Sequence, residues 1–117
     1  MGLQKDYTVR ENVLILRLAG EIDHHEAESL RQEWQAYIRK HHIVHVILNL
    51  EKVDFMDSSG IGVILGRYKE IIARGGELIA CHVTSPVDRL FTMAGLYKII
   101  RSEKNEELAL LSLGVAS

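Results

Sequence analysis

The sequence predicts an α/β fold: a single domain with a mixed sheet of about five strands and about four helices. Three observations predict it. Apolar, β-branched runs alternate with amphipathic helical stretches from about residue 43 onward, the order that lays crossover helices on a sheet. Two strand-like runs near the start are separated by Arg10-Glu11-Asn12, short enough for a hairpin and therefore for an antiparallel pair. The length of 117 residues, with 47% apolar and 26% charged, suits one domain over residues 1–117 with an ordinary buried core.

Residues 7–9 and 13–19 are the first two strands, and Gly20 ends the second. Asp23 stands as a helix N-cap, with Glu26 at the capping-box position. Ala27, Leu30, Trp34, Tyr37 and Ile38 then recur at helical spacing and form one apolar stripe. Residues 43–48 (Ile-Val-His-Val-Ile-Leu) are nearly continuous in apolar character, as a strand buried on both faces requires. The next helix carries Ile61, Ile64, Leu65, Tyr68, Ile71 and Ile72 on one face and stops at Gly75-Gly76. Residues 78–83 are another strand. Ser85 caps the following helix with Pro86 at its first position, Val87, Leu90, Phe91 and Ala94 form its buried side, and Gly95 ends it. Residues 97–100 are a short strand, and Ser102 caps a last helix through Leu108, Leu110 and Leu111.

The composition excludes several classes. A net charge of −2 without a clustered basic face gives no electrostatic case for nucleic acid. Stretches free of Asp, Glu, Lys and Arg, such as residues 41–50, are far too short to span a bilayer. The opening residues have no apolar signal core, and the single cysteine, Cys81, allows no intramolecular disulfide and fits a reducing cytosol. The expectation is a cytoplasmic protein. Cys81 reads as a small buried apolar residue.

The most informative string is Asp57-Ser58-Ser59-Gly60-Ile61-Gly62, between an apolar strand and a helix. Ser and Asp at a helix start satisfy the free N–H groups of the first turn, so capping alone is one account of these residues. Three consecutive capping residues exceed what one cap needs. Gly60, Gly62 and Gly66 each cost roughly 1 kcal/mol against Ala in a helix interior. Gly62 and Gly66 leave a smooth strip that another backbone, from within the fold or from a partner, could approach. A phosphate on Ser58 would add about −1.5 to −2 charges. The helix N-terminus favours that charge by roughly 0.3–1 kcal/mol, while Asp57 opposes it. The fold should therefore survive the modification. A partner packed over the site would not tolerate it: a penalty of about 3 kcal/mol lowers affinity by roughly two orders of magnitude.

The run from Val53 through Asp57-Ser58-Ser59-Gly60 to Leu65 resembles the signature of the STAS domain, in its anti-sigma-factor-antagonist branch. The run Leu16-Arg17-Leu18-Ala19-Gly20-Glu21-Ile22-Asp23 resembles that family's second motif. The resemblance covers nearly the whole chain without large insertions. It implies phosphorylation of the serine directly after the motif Asp, which is Ser58; Ser59 is the neighbour and not the usual acceptor. It implies that the unmodified form binds an anti-sigma factor with serine kinase activity and frees a sporulation sigma factor. Phosphorylation switches binding off, and a serine phosphatase restores it. The implied contact surface is Gly20, Glu21, Ile22 and Asp23 with Met56, Asp57, Ser58, Ser59 and Ile61. ATP would be bound by the kinase, so the chain itself needs no cofactor, no metal and no catalytic residue. A STAS antagonist or scaffold of another pathway, such as general stress response, is the alternative. If both loops meet at one sheet edge, Glu21, Asp23 and Asp57 form an acidic rim around Ser58, which predicts a basic patch on the partner.

Rival chemistries fit less well. A serine hydrolase would need Gly-x-Ser-x-Gly, and the string here is Met-Asp-Ser-Ser-Gly. A dinucleotide fingerprint lacks its third glycine and its downstream acid, since Ala80, Cys81 and His82 stand about 20 positions on. The doublets His24-His25 and His41-His42 do not present two ligands to one metal, because adjacent helical residues do not face each other.

Overall fold

A computed structural model describes residues 2–115. Strands β1 (Leu3–Arg10) and β2 (Val13–Ile22) form an antiparallel hairpin with Arg10 opposite Val13. The two-residue connection Glu11-Asn12 turns through a left-handed Glu11, φ 55°, which matches the twist of the flanking strands. From β2 on, strand and helix alternate. They are α1 (His24–Lys40), β3 (His45–Met56), α2 (Ser58–Ala73), β4 (Leu78–Cys81) and α3 (Ser85–Ala94), then a single 3-10 turn (Leu96–Lys98), β5 (Arg101–Glu103) and α4 (Glu106–Ser112). Strands β2 to β5 are mutually parallel, so the five-stranded sheet is mixed, and its spatial order follows the chain, β1-β2-β3-β4-β5.

The alternation of side chains along β2 divides the core. Leu14, Leu16 and Leu18 face the layer of α1, α2 and α3, where they meet Leu30, Trp34, Ile38, Ile64, Ile71 and Phe91. Val13 and Ile15 face the other way and join Ile47, Ile79 and Cys81 under α4, through Ala109 and Leu110. Further up that second face Arg17 grips Glu106 with two hydrogen bonds of 2.7 and 2.8 Å, and Asn49 donates to the same carboxylate at 2.6 Å. Arg17 also donates to Asp6 at 2.8 Å. This network ties β1, β2, β3 and α4 together.

Several expected boundaries move. β1 begins at Leu3 rather than at residue 7, because the polar stretch Gln4-Lys5-Asp6 pairs with Ala19, Leu18 and Arg17. β2 runs past Gly20 to Ile22, and β3 runs past residue 48 to Met56, because the two strands go on pairing through Gly20–Val53 and Ile22–Met56. β4 stops at Cys81, two residues early, where His82 turns to a φ of 53°. The cap of α3 is Thr84, not Ser85, and its hydroxyl donates instead to the carbonyl of Val53 at 3.2 Å. The strand expected at 97–100 is a 3-10 turn that buries Leu96, and β5 follows it. Asn105, not Ser102, caps α4, accepting from Leu108 N–H at 2.8 Å. On α2, Ile72 is 48% exposed and lies outside the buried face expected for it.

Candidate functional site

The site is built by two neighbouring parallel strands that end together. Ile22 and Met56 are register partners at the last positions of β2 and β3, and Asp57 N–H donates to the carbonyl of Ile22 at 3.2 Å. Both loops expected to carry the site therefore lie at one edge of the sheet. Each strand passes directly into a helix through an aspartate. Asp23 (φ −112°, ψ −174°) accepts from His25 N–H at 3.0 Å and Glu26 N–H at 3.3 Å. Asp57 (φ −111°, ψ −173°) accepts from Ser59 N–H at 2.8 Å. The two caps are superimposable in conformation. Glu26 makes no return bond to Asp23 among the described residues, so the capping box is only half formed.

The serines do not cap α2; Asp57 does. Ser58 is the first residue of the helix, exposed, and its hydroxyl makes no hydrogen bond among the described residues. Ser59 is half-buried behind it. An exposed, unengaged hydroxyl at the positive end of a 16-residue helix is a good place for an added anion. α2 has no acidic residue in its first turn, so the cap Asp57 is the helix's own carboxylate that opposes one.

The other expected contact residues divide into surface and support. Glu21 is exposed, and Asp23 and Asp57 are half-buried, so three carboxylates stand along this edge. Ile22 (1% exposed), Met56 (7%) and Ile61 (8%) lie beneath it and hold the loops in place. Gly20 has φ +108°, and the carbonyl oxygen of Gly2 lies 2.5 Å from where a Cβ would stand. Only glycine allows β1 to close over β2 at this point. Gly60 is the packed glycine of α2: a Cβ there would meet Met56 Cγ at 2.6 Å and Ile22 Cγ2 at 2.9 Å. Gly62 and Gly66 have nothing within 4 Å, so their strip serves no close approach within the fold.

One surface residue escaped the sequence reading. Phe55, opposite Glu21 in the sheet, is 47% exposed. Simple alternation would place it on the same face as buried Val53, and it is the irregular pairing of β2 and β3 that leaves the ring outside the core. Cys81 is fully buried, and burial, with the Glu106 carboxylate second, pushes its thiol up to about 12. Trp34 is fully buried, whereas Tyr37 is half-buried and stacks on Tyr7 at 4.3 Å. No group of three His, Cys, Asp or Glu among the described residues is placed to hold a metal. No helix among them is long and apolar enough to cross a membrane.

Comparison with known proteins gives a consistent set of likenesses. The family described as STAS domain matches residues 4–109. The chain is 46% identical to an anti-sigma F factor antagonist of Paenibacillus polymyxa over the full length of both proteins. It is 35% identical to an anti-sigma-B factor antagonist of Listeria monocytogenes, over 76% of this chain and 77% of that one. Among solved structures it resembles the anti-sigma factor antagonist SpoIIAA in its unphosphorylated form, with a TM-score of 0.83 and 31% identity over 99% of this chain and 100% of that one. The phosphorylated form of the Bacillus protein superimposes with a TM-score of 0.74 at 31% identity, over 96% and 99% of the two chains.

Proposed function

The chain belongs to the STAS domain family, among its anti-sigma-factor antagonists, and from that premise we propose that it is a non-enzymatic switch controlled at Ser58. In its unmodified state the edge formed by Gly20, Glu21, Asp23, Asp57, Ser58 and Ser59 docks on an anti-sigma factor that is also an ATP-dependent serine kinase. Docking frees a sporulation sigma factor in the cytoplasm. The kinase transfers a phosphoryl group to the Ser58 hydroxyl, the complex separates, and a serine phosphatase resets the protein.

One observation carries this reading: Ser58 is the exposed first residue of α2, its hydroxyl is unengaged, and Asp57 already satisfies the cap. The fold therefore asks nothing of that hydroxyl, and a phosphate there neither breaks a bond nor fills a cavity. A docked partner meets a different situation. It must desolvate a dianion beside three carboxylates, which is costly without a compensating cation. The likeness to SpoIIAA, solved in both an unphosphorylated and a phosphorylated form, supports control by phosphorylation. The full-length match to an F-type antagonist favours sporulation over general stress response as the pathway.

The test is intact mass and peptide mapping after incubation with ATP, with and without the cognate anti-sigma factor. One phosphate on Ser58, only with the partner present, is expected. The Ser58→Ala variant should bind the partner normally and accept no phosphate. Ser58→Asp should bind at least roughly tenfold more weakly, about 1.4 kcal/mol, with little change in melting temperature. Full labelling of Ser58→Ala would move the site to Ser59.

A further inference from the structure

The proposed docking edge carries Ser58 on the helix side of the sheet, and Phe55 lies on the other side. Glu21–Phe55 and Ile22–Met56 are successive register pairs of β2 and β3. Ile22 and Met56 point into the helix layer, so Glu21 and Phe55 point to the α4 face. α4 does not reach them. Its first residue, Glu106, is held at the level of Arg17 and Asn49, and Glu21 lies about 13 Å further up the strand than Arg17. The Phe55 ring is 47% exposed and joins neither part of the core.

An irregularity in the sheet puts it there. Gly20 and Glu21 are neighbours on β2, but their partners Val53 and Phe55 are two apart on β3, so Asp54 is an extra residue. A bulge of this kind re-aims the side chains that follow it. Here it takes a phenyl ring out of the core and sets it beside Met56-Asp57-Ser58. Three residues of extended chain place Phe55 at most about 11 Å from Ser58. A standard interface covers about 800 Å² on each partner, a patch roughly 30 Å across. A protein seated over Ser58 therefore covers Phe55 as well.

We infer that Phe55 is the apolar anchor of the docking surface, and that the partner folds over the end of the sheet onto its α4 face. The inference rests on an anti-sigma factor as the partner and adds the chemistry of its receiving site. Glu21 stands opposite the ring, and Asp54 and Asp57 stand on either side of it along the chain, with Lys52 as the cation on this end of β3. The receiving site is therefore an apolar pocket with cationic side chains at its rim. A desolvated aromatic ring at the centre supplies binding strength, and the charges at the rim set the rate and orientation of encounter.

Calorimetry of the unmodified full chain with the cognate anti-sigma factor tests it. Phe55→Ser should bind at least roughly tenfold more weakly, with its urea midpoint near that of the parent. Ile72→Ser removes an apolar side chain of matching exposure, 48%, near the far end of α2, and should bind as the parent does. Phe55→Trp keeps a ring and needs no loss of binding to be read. Its indole should be quenched by acrylamide in the free protein, where Trp34 is fully buried, and shielded in the complex. Native affinity of Phe55→Ser, equal weakening by Ile72→Ser, or an indole at position 55 quenched alike in free and bound protein overturns the anchor. If the parent itself does not bind, the proposed switch and the anchor fall together. If the parent binds and is phosphorylated on Ser58 while Phe55→Ser matches its affinity, only the anchor falls.

Discussion

Gly60 and Gly62 are two residues apart on one helix and have opposite surroundings, which makes them a sharp residue-scale test. A methyl group at Gly60 would press on Met56 and Ile22, the two side chains that close β2 and β3. Gly60→Ala should cost roughly 1–3 kcal/mol by overpacking. A methyl at Gly62 meets nothing. Gly62→Ala should instead stabilise the free protein by about 0.4–1 kcal/mol, through helix propensity and a less disordered unfolded chain. Urea unfolding of both variants checks the pair, and a stability loss at Gly62 would refute the assignment of its face to solvent. The sequence alone displayed three glycines in a row of turns without distinguishing them. Which one is packed depends on where Met56 and Ile22 end their strands, and that is a property of the sheet register. Ser58, by contrast, was legible, because its neighbours Asp57 and Gly60 define a strand-to-helix junction in the sequence itself.

At the scale of elements, α4 is the one helix on its face of the sheet among the described residues, and its seven residues are held by Ala109 and Leu110 below and by Arg17, Asn49 and Glu106 above. Burial raises the Glu106 carboxyl, but the hydrogen bonds from Arg17 and Asn49 outweigh it and hold the group below its ordinary value. A carboxylate depressed on folding contributes stability that is fully present above its unfolded value and is lost as pH falls through the folded one. Glu106→Gln should therefore lower stability by roughly 1–2 kcal/mol near pH 7, the range for hydrogen bonds to a partly solvated charge. The difference should shrink as acid protonates Glu106 in the parent. Thermal unfolding of both proteins between neutral and acidic pH decides it, and a constant difference would mean that shape alone matters there. α1 and α2 were readable from their apolar spacing, which is a local signal. β5 was not: Arg101-Ser102-Glu103 has no strand character of its own and is extended because β4 offers it an edge. The more β-prone stretch before it, with Tyr97 and Ile99, is instead bent into a turn by the left-handed Gly95 and anchored by buried Leu96 and Ile100.

For the molecule as a whole, Cys81 reports on integrity. It lies at the end of the interior strand β4, beneath α4, fully buried and with its thiolate strongly disfavoured. A disulfide reagent should leave native protein unlabelled until the sheet opens, so labelling in native buffer should proceed at the rate of opening and accelerate with urea. Rapid labelling without denaturant would mean that α4 lifts away alone. Installing phosphate on Ser58 should leave that rate nearly unchanged, because neither α4 nor β4 touches the modified edge. The order of strands in space has a further meaning. Since β1 to β5 lie side by side in the order of the chain, each strand leaving the ribosome joins an edge already waiting for it, and none must be threaded between finished neighbours. The edge that presents Ser58 is complete once α2 has been made, while the covering of the far face by α4 comes last. A nascent chain can thus assemble by simple accretion, and a stalled one would already present Ser58, the proposed phosphorylation site, while its Cys81 face stood bare.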